Sequence, residues 1–342
     1  MTGLWQSFVP EAPPSIVTML APETHTPPLL PTIAALLALS YLWGVIRLRR
    51  RGERWHPGRT VLFLSGCMLL AAVTGTETDS YGTVLFSVFM FQQLTLMITV
   101  PPLLVWGSPG RLLLRAAPNT GLGGIVQRAA LGALRSRPAR YVLHPAITIP
   151  LFLMSYYGLY LTSIANTALA YTGGHLALEV FFLLSGILFT IPALSDDPLP
   201  TRHGHGARIM DVSVEMVLHV FFGVIIMMST TVLVDAFANP PAGWGIDPLE
   251  DQGVAGGLAW GYGEGPTVVI LVVLLHRWFM DDTRRARAAD ARADRNGDPD
   301  LDAYNEHLAD LARTTTPPVP RHTGGRSTNG EADVRTGETR PL

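Results

Sequence analysis

The chain has 342 residues and a formal net charge of -2, with 48% hydrophobic and only 15% charged residues. A soluble domain carries about 25% charged residues, so this composition excludes an ordinary cytosolic enzyme and a basic nucleic-acid binder and points to a membrane protein. A single cysteine, Cys67, excludes an internal disulfide and any multi-cysteine zinc or iron–sulfur site.

The first 28 residues are Pro-rich and hold no Arg ahead of their weakly apolar stretch. A secretory leader needs a positive start, so an uncleaved extracytoplasmic segment is expected over 1–28. A bilayer core of roughly 30 Å needs about 20 mainly apolar residues per helix. Seven runs qualify: 29–48, 60–75, 82–106, 141–163, 174–194, 209–237 and 254–279. The second is the shortest. In the seventh, WGYGEGP predicts a broken or kinked helix around Pro266.

The arginines orient these runs. All 25 basic side chains are Arg, and cytoplasmic loops should hold them. Six fall between Arg47 and Arg59, six between Arg111 and Arg140, two at Arg202 and Arg208, and eleven from Arg277 onward. The N-terminus and the three opposite loops hold none, and carry Glu11, Glu23, Glu77, Asp79, Asp247, Glu250 and Asp251 instead. The expected fold is all-α: a seven-transmembrane-helix bundle over 29–279, N-terminus outside and C-terminus inside. After it, 280–312 reads as a charged, helical cytoplasmic tail. The polar, Gly/Thr/Pro-rich 313–342 reads as disordered.

Ionisable side chains inside a membrane cost about 2.5–3.5 kcal/mol on insertion scales and face the bundle interior or water. His175 and Glu179, four apart, share one face of the fifth run near its outer end. Asp211, Glu215 and His219 form a stripe in the sixth; Glu264 lies in the seventh, and Gln92 and Gln93 near mid-depth in the third. Imidazole suits copper, and thioethers suit Cu(I) in particular, which makes His175 and His219 candidate metal ligands. The plainer reading pairs His219 and Glu215 with Gln93 or Glu264 as interhelical glue worth about 0.6 kcal/mol each. Methionine at such positions is more often packing than ligand, and the same holds for Cys67. His203 and His205 stand in a polar loop as H-x-H, too few for a metal alone. No phosphate loop, nucleophile elbow or dinucleotide fingerprint occurs, so no catalytic or cofactor-binding residue is expected.

Four stretches carry a family pattern: SVFMFQQLTLMITVPPLLVWGSPGRLLLR; GGHLALEVFFLLSGILFTIPALSDDPLPTR; EMVLHVFFGVIIMMS; and DQGVAGGLAWGYGEGP with the tail from RWFMDDTRR onward. The chain resembles the CtaG-like cytochrome c oxidase assembly family in its actinobacterial form. The resemblance implies a polytopic protein of the bacterial plasma membrane that helps mature a haem–copper oxidase. Copper is then the candidate cofactor or cargo, with oxidase subunits, copper chaperones and the lipid bilayer as partners. The family's third span typically shows two histidines four apart, H-M-x-Q-H; here Phe89 and Gln93 stand there, with Met90 and Gln92 retained. Phe cannot coordinate a metal and the Gln amide is a poor Cu(I) ligand. His219 matches the family's sixth-span histidine. The alternative function is a transporter or proton-coupled permease using the buried acids of the sixth and seventh runs. An enzyme is not expected.

Overall fold

The computed structural model describes residues 9–117, 124, 132, 136–195, 204–297 and 299–315. Among them every regular element is helical, and the β contribution is one isolated bridge between Pro22 and Thr76. By its contacts the chain divides into one unit up to Met280 and a second from Asp281. The DDPLP stretch, His203 and residues 316–342 lie outside the described residues.

In chain order the helices are α1 (Ile16–Met19), α2 (Leu29–Arg50), α3 (Pro57–Gly75), α4 (Thr78–Gly82) and α5 (Phe86–Leu94). A π-helical turn, Thr95–Thr99, leads into α6 (Val100–Trp106); α7 (Pro109–Ala116), α8 (Arg137–Val142) and α9 (Pro145–Leu153) follow. After a second π turn, Met154–Gly158, come α10 (Ile164–Ala170), α11 (Gly174–Leu194), α12 (His205–Met228), α13 (Pro248–Asn296) and α14 (Pro299–Thr315).

Among the described residues six helices are long and apolar enough to cross a membrane: Leu29–Arg50, Pro57–Gly75, Phe86–Ala116, Gly174–Leu194, His205–Met228 and Pro248–Arg295. The fourth expected run is the exception. It holds an apolar helix, Ala146–Gly158, that is shorter than a span needs. Pro145 opens it, Pro150 removes an amide from its interior, and the π turn ends its regular ladder. The third run also differs, because Gly82 closes the separate α4 and the spanning helix begins at Phe86. Of the break or kink expected near Pro266, the break is absent, because α13 continues through it.

The Phe86–Ala116 stretch is the centre of the bundle, with 83% of its apolar window buried against 22% to 39% for the other five. Around it the outer helices point Leu36, Leu39, Met68, Phe221 and Val272 outward. Such an apolar exterior is a liability in water and fits lipid. Two contacts show how closely the backbones approach. A Cβ on Gly186 of α11 would lie 2.2 Å from the Met97 carbonyl oxygen of the first π turn. Gly223 of α12 and Gly256 of α13 face each other, and a Cβ on Gly256 would lie 2.5 Å from the Met227 amide nitrogen. Small residues at such crossings are what holds helices together where lipid is as apolar as the side chains.

The DQ of the seventh-run motif is a fastening point. Asp251 Oδ2 accepts from the Phe86 amide at 2.6 Å and the Ser87 amide at 3.3 Å, and Ser87 Oγ donates to Oδ1. It therefore caps α5 from a helix 165 residues away in sequence. Gln252 accepts from the Leu233 amide and donates to the Thr231 carbonyl, pinning the loop after α12. Asp251→Ala is expected to cost about 1–2 kcal/mol, the loss of a cap plus orphaned amides. A lowered thermal midpoint in detergent, with unchanged helix content at 20 °C on the order of ambient conditions, is the measurement.

Candidate metal centre

The site assembles at one end of α3, α5 and α11. α3 ends at Gly75, and the short α4 turns the chain back toward α5, carrying Asp79 inward. Asp79 is buried at 6% exposure. Across from it, Gly173 adopts a left-handed turn (φ 81) and starts α11, which presents His175 and Glu179 on one face. His175 Nε2 lies 3.1 Å from Asp79 Oδ1 and 4.0 Å from Glu179 Oε1. The ligand atoms of Asp79, His175 and Glu179 all fall within 4.8 Å of one another. One cation with bonds of about 2 Å comes close to bridging that span.

Gln92 of α5 completes the group, at 1% exposure. Its Nε2 faces three acceptors: the Val73 carbonyl at 3.0 Å, Asp79 Oδ1 at 2.9 Å and Glu179 Oε1. An amide NH₂ carries only two hydrogens. Its own Oε1 has no partner, nor has His175 Nδ1. Thr26 Oγ1 donates to Asp79 Oδ2 at 3.4 Å from the N-terminal segment. Burial pushes the Asp79 carboxyl up, but the hydrogen bond and charge of His175, with hydrogen bonds to Gln92 and Glu179, outweigh it and hold it below the usual carboxylate range. Asp79 is therefore an anion at neutral pH. A cleft of about 560 Å³, lined by Thr26, Pro27, Thr83, Tyr171, Asp79, His175 and Glu179 among others, reaches this group.

His219 is elsewhere. It is buried on α12, its ring 4.7 Å from that of Tyr156, and Gly263 of α13 presses against it so closely that a Cβ there would lie 1.9 Å from its Cε1. A run of ring contacts, Phe89 to Tyr160 to Phe222 to Tyr156, stands between the His175 and His219 groups. His219 Nε2, Glu215 Oε1 and Tyr156 Oη are buried without partners. The expected pairing of His219 or Glu215 with Gln93 is not made. Gln93 instead donates to the Ser155 carbonyl at 2.9 Å and accepts from Tyr160 Oη. Competition from the fourth run decides this, because the π turn turns Ser155 and Tyr156 into the core. Glu264 is half-buried on α13 and Cys67 is buried and free. Phe89 touches the His175 ring at 5.5 Å, so one of the two positions where the resembling family carries histidine borders the centre and the other, Gln93, does not ligate.

Asp79 was readable only as an acid in an outer loop. Its one sequence signal was its place, a second carboxylate two residues past Glu77 in a tight connection between two apolar runs. Nothing in the periodicity shows that the connection folds inward.

The donors are one imidazole and two carboxylates, with an amide oxygen beside them. This set suits a borderline or hard divalent ion and offers no thiolate or thioether.

A family model described as cytochrome c oxidase caa3 assembly factor matches residues 39–281. Uncharacterized proteins of Mycobacterium bovis and Mycobacterium tuberculosis are each 34% identical over 305 residues, 88% of this chain and 46% of the relative. One of Mycobacterium leprae is 33% identical over 284 residues, 82% of this chain and 43% of the relative. The chain spans less than half the length of these relatives. No solved structure matches. The matches give no support to the transport alternative.

Proposed function

Because the chain belongs to the cytochrome c oxidase caa3 assembly factor family, we propose that it matures a haem–copper oxidase in the bacterial plasma membrane by handling copper as cargo, without catalysing a reaction of its own. The observation that carries this reading is the buried Asp79–His175–Glu179 group at the end of an open cleft. Copper is what the protein passes on. His175 is its nitrogen ligand, with Asp79 and Glu179 as oxygen ligands; His219 is the candidate ligand of a second interior place beside Tyr156 and Glu215. Gln92 orients the two carboxylates.

The segregation of the arginines supports seven spans, with residues 141–163 completing the count, the N-terminus outside and the C-terminus inside. In that orientation 1–28 and the cleft face the outer side, 29–279 lies in the bilayer, and 280–312 with 313–342 form a cytoplasmic tail. The oxidase subunits or a copper chaperone meet the protein at the cleft.

Removing the gene is expected to lower cytochrome c oxidase activity and the haem a absorbance of membranes, and excess copper in the medium to restore part of both. Normal oxidase spectra in the deletion strain would overturn the proposal. Labelling of a cysteine placed at Arg135 only after cells are opened is the result expected for the orientation.

A further inference from the structure

We propose that the Asp79–His175–Glu179 centre selects copper in its oxidised state, binding Cu(II) and failing to retain Cu(I). The inference rests on the copper reading above and specifies which ion that site takes.

Three observations support it. The first is charge. Two carboxylates sit together at 6% and 3% exposure, and among the described residues no arginine pairs with either; the side chain they meet is the His175 imidazole. Buried charges are stable only when compensated, and a divalent ion taking the place of the hydrogen between Glu179 and Asp79 balances two carboxylates where a monovalent one leaves a surplus anion.

The second is a shortage of donors. Gln92 Nε2 has two hydrogens for three acceptors, while Gln92 Oε1, nine-tenths and more buried, accepts nothing. A Cβ on Gly82 would lie 2.9 Å from that orphaned oxygen and 3.5 Å from His175 Cε1, so both groups flank the same glycine. Acceptors in excess around one imidazole are what a cation site looks like before its cation arrives. A structural hydrogen-bond network closes its donors and acceptors on each other instead.

The third is ligand softness. Cu(I) is held by thiolates, thioethers and paired imidazoles, whereas Cu(II) accepts nitrogen and oxygen donors. The grouped ligands are one nitrogen and carboxylate oxygens. Phe89 occupies the place beside His175 where a second imidazole would shift that preference.

The test uses the whole 342-residue chain purified in detergent micelles. Cu(II) titration read by electron paramagnetic resonance is expected to give one tightly bound ion with coupling to a single nitrogen. His175→Asn is expected to remove that coupling. Asp79→Asn and Glu179→Gln, near-isosteric changes, are each expected to weaken Cu(II) binding by about 10–100-fold. His144→Asn, at the N-cap of α9 and in neither group, should leave the spectrum unchanged. Under anaerobic reduction with ascorbate, bicinchoninate is expected to take all the copper as its Cu(I) complex. Thermal melts identify any variant that fails to fold, and the wild-type Cu(I) competition stands without variants. Cu(I) held against bicinchoninate, coupling to two nitrogens, or a spectrum indifferent to His175→Asn and Glu179→Gln would overturn the inference. A deletion strain lacking oxidase together with those outcomes leaves the assembly role standing and removes only the Cu(II) centre. Intact oxidase with Cu(II) bound as described does the reverse.

Discussion

Gly186→Val is expected to leave almost no folded protein after detergent extraction, the largest stability effect of any single substitution considered. The reason is what the new side chain meets. At Gly186 the first side-chain atom would lie 2.2 Å from the Met97 carbonyl oxygen and 2.8 Å from its carbon and Cα. These are backbone atoms of the π turn at the centre of the bundle, in the helix with the greatest buried share. A flexible side chain could swing away, as Leu104 can at Gly66, where a Cβ would lie 2.9 Å from its Cδ2. A carbonyl locked in a helix cannot. Overpacking a well-filled core costs about 1–3 kcal/mol when side chains absorb it. Here α11 must move bodily off its neighbour, so about 3 kcal/mol or more is expected, enough to consume much of a marginal stability. The move also carries His175 and Glu179 away from Asp79, since both ride on α11. Gly66→Ala serves as the comparison and should lower the thermal midpoint only slightly. Size-exclusion profiles and melts of the two variants decide: a Gly186→Val protein that elutes and melts like wild type contradicts the packing described.

Which features the amino-acid pattern announces, and which it hides, follows from what a pattern encodes. Apolar runs encode length and period, so the helices Leu29–Arg50, Pro57–Gly75 and Gly174–Leu194 emerge at or near their expected bounds. His175 and Glu179 were legible as a pair because one helix fixes both. Neighbours on other helices are not encoded in a period. Asp79 enters the site because α4 folds inward between two spans, and Gln92 because of the face α5 turns toward it. The same limit explains the glycines near Pro266. Composition alone suggests a break, yet Gly256 and Gly263 are contact surfaces for Met227 and His219, and α13 runs on through Pro266. The fourth run departs in the other direction. Its apolar length was clear, while the effect of Pro150 and the π turn on its helical extent was not. His219 and His175 were each visible as intramembrane imidazoles; that aromatic rings stand between their groups depends on four side chains from three separate stretches.

Phe89→His is expected to make the protein less stable without copper and markedly more stable with it. Phe89 is 1% exposed and packs against Tyr160, Phe182, Phe237 and the His175 ring. Replacing it by the smaller, polar imidazole removes ring packing and buries a group with nothing assigned to bond it. Together these cost about 2–4 kcal/mol. In the presence of Cu(II) the same imidazole lies beside His175 and adds a second nitrogen to a centre that has one. Ligand bound only by the folded state stabilises it by about 2.7 kcal/mol at a hundredfold excess over the dissociation constant. The copper-induced rise in melting temperature should therefore be larger for Phe89→His than for wild type, although its metal-free midpoint is lower. The ion's preference should move as well: with paired imidazoles the variant is expected to keep some Cu(I) against bicinchoninate, and its Cu(II) spectrum to show two nitrogens. Gln93→His is the instructive contrast. Position 93 bonds the Ser155 carbonyl and Tyr160 rather than the centre, so a histidine there should cost stability and return no copper-dependent gain. Equal copper responses from the two variants would mean that position 89 does not border the ion, and that the centre is not built around His175.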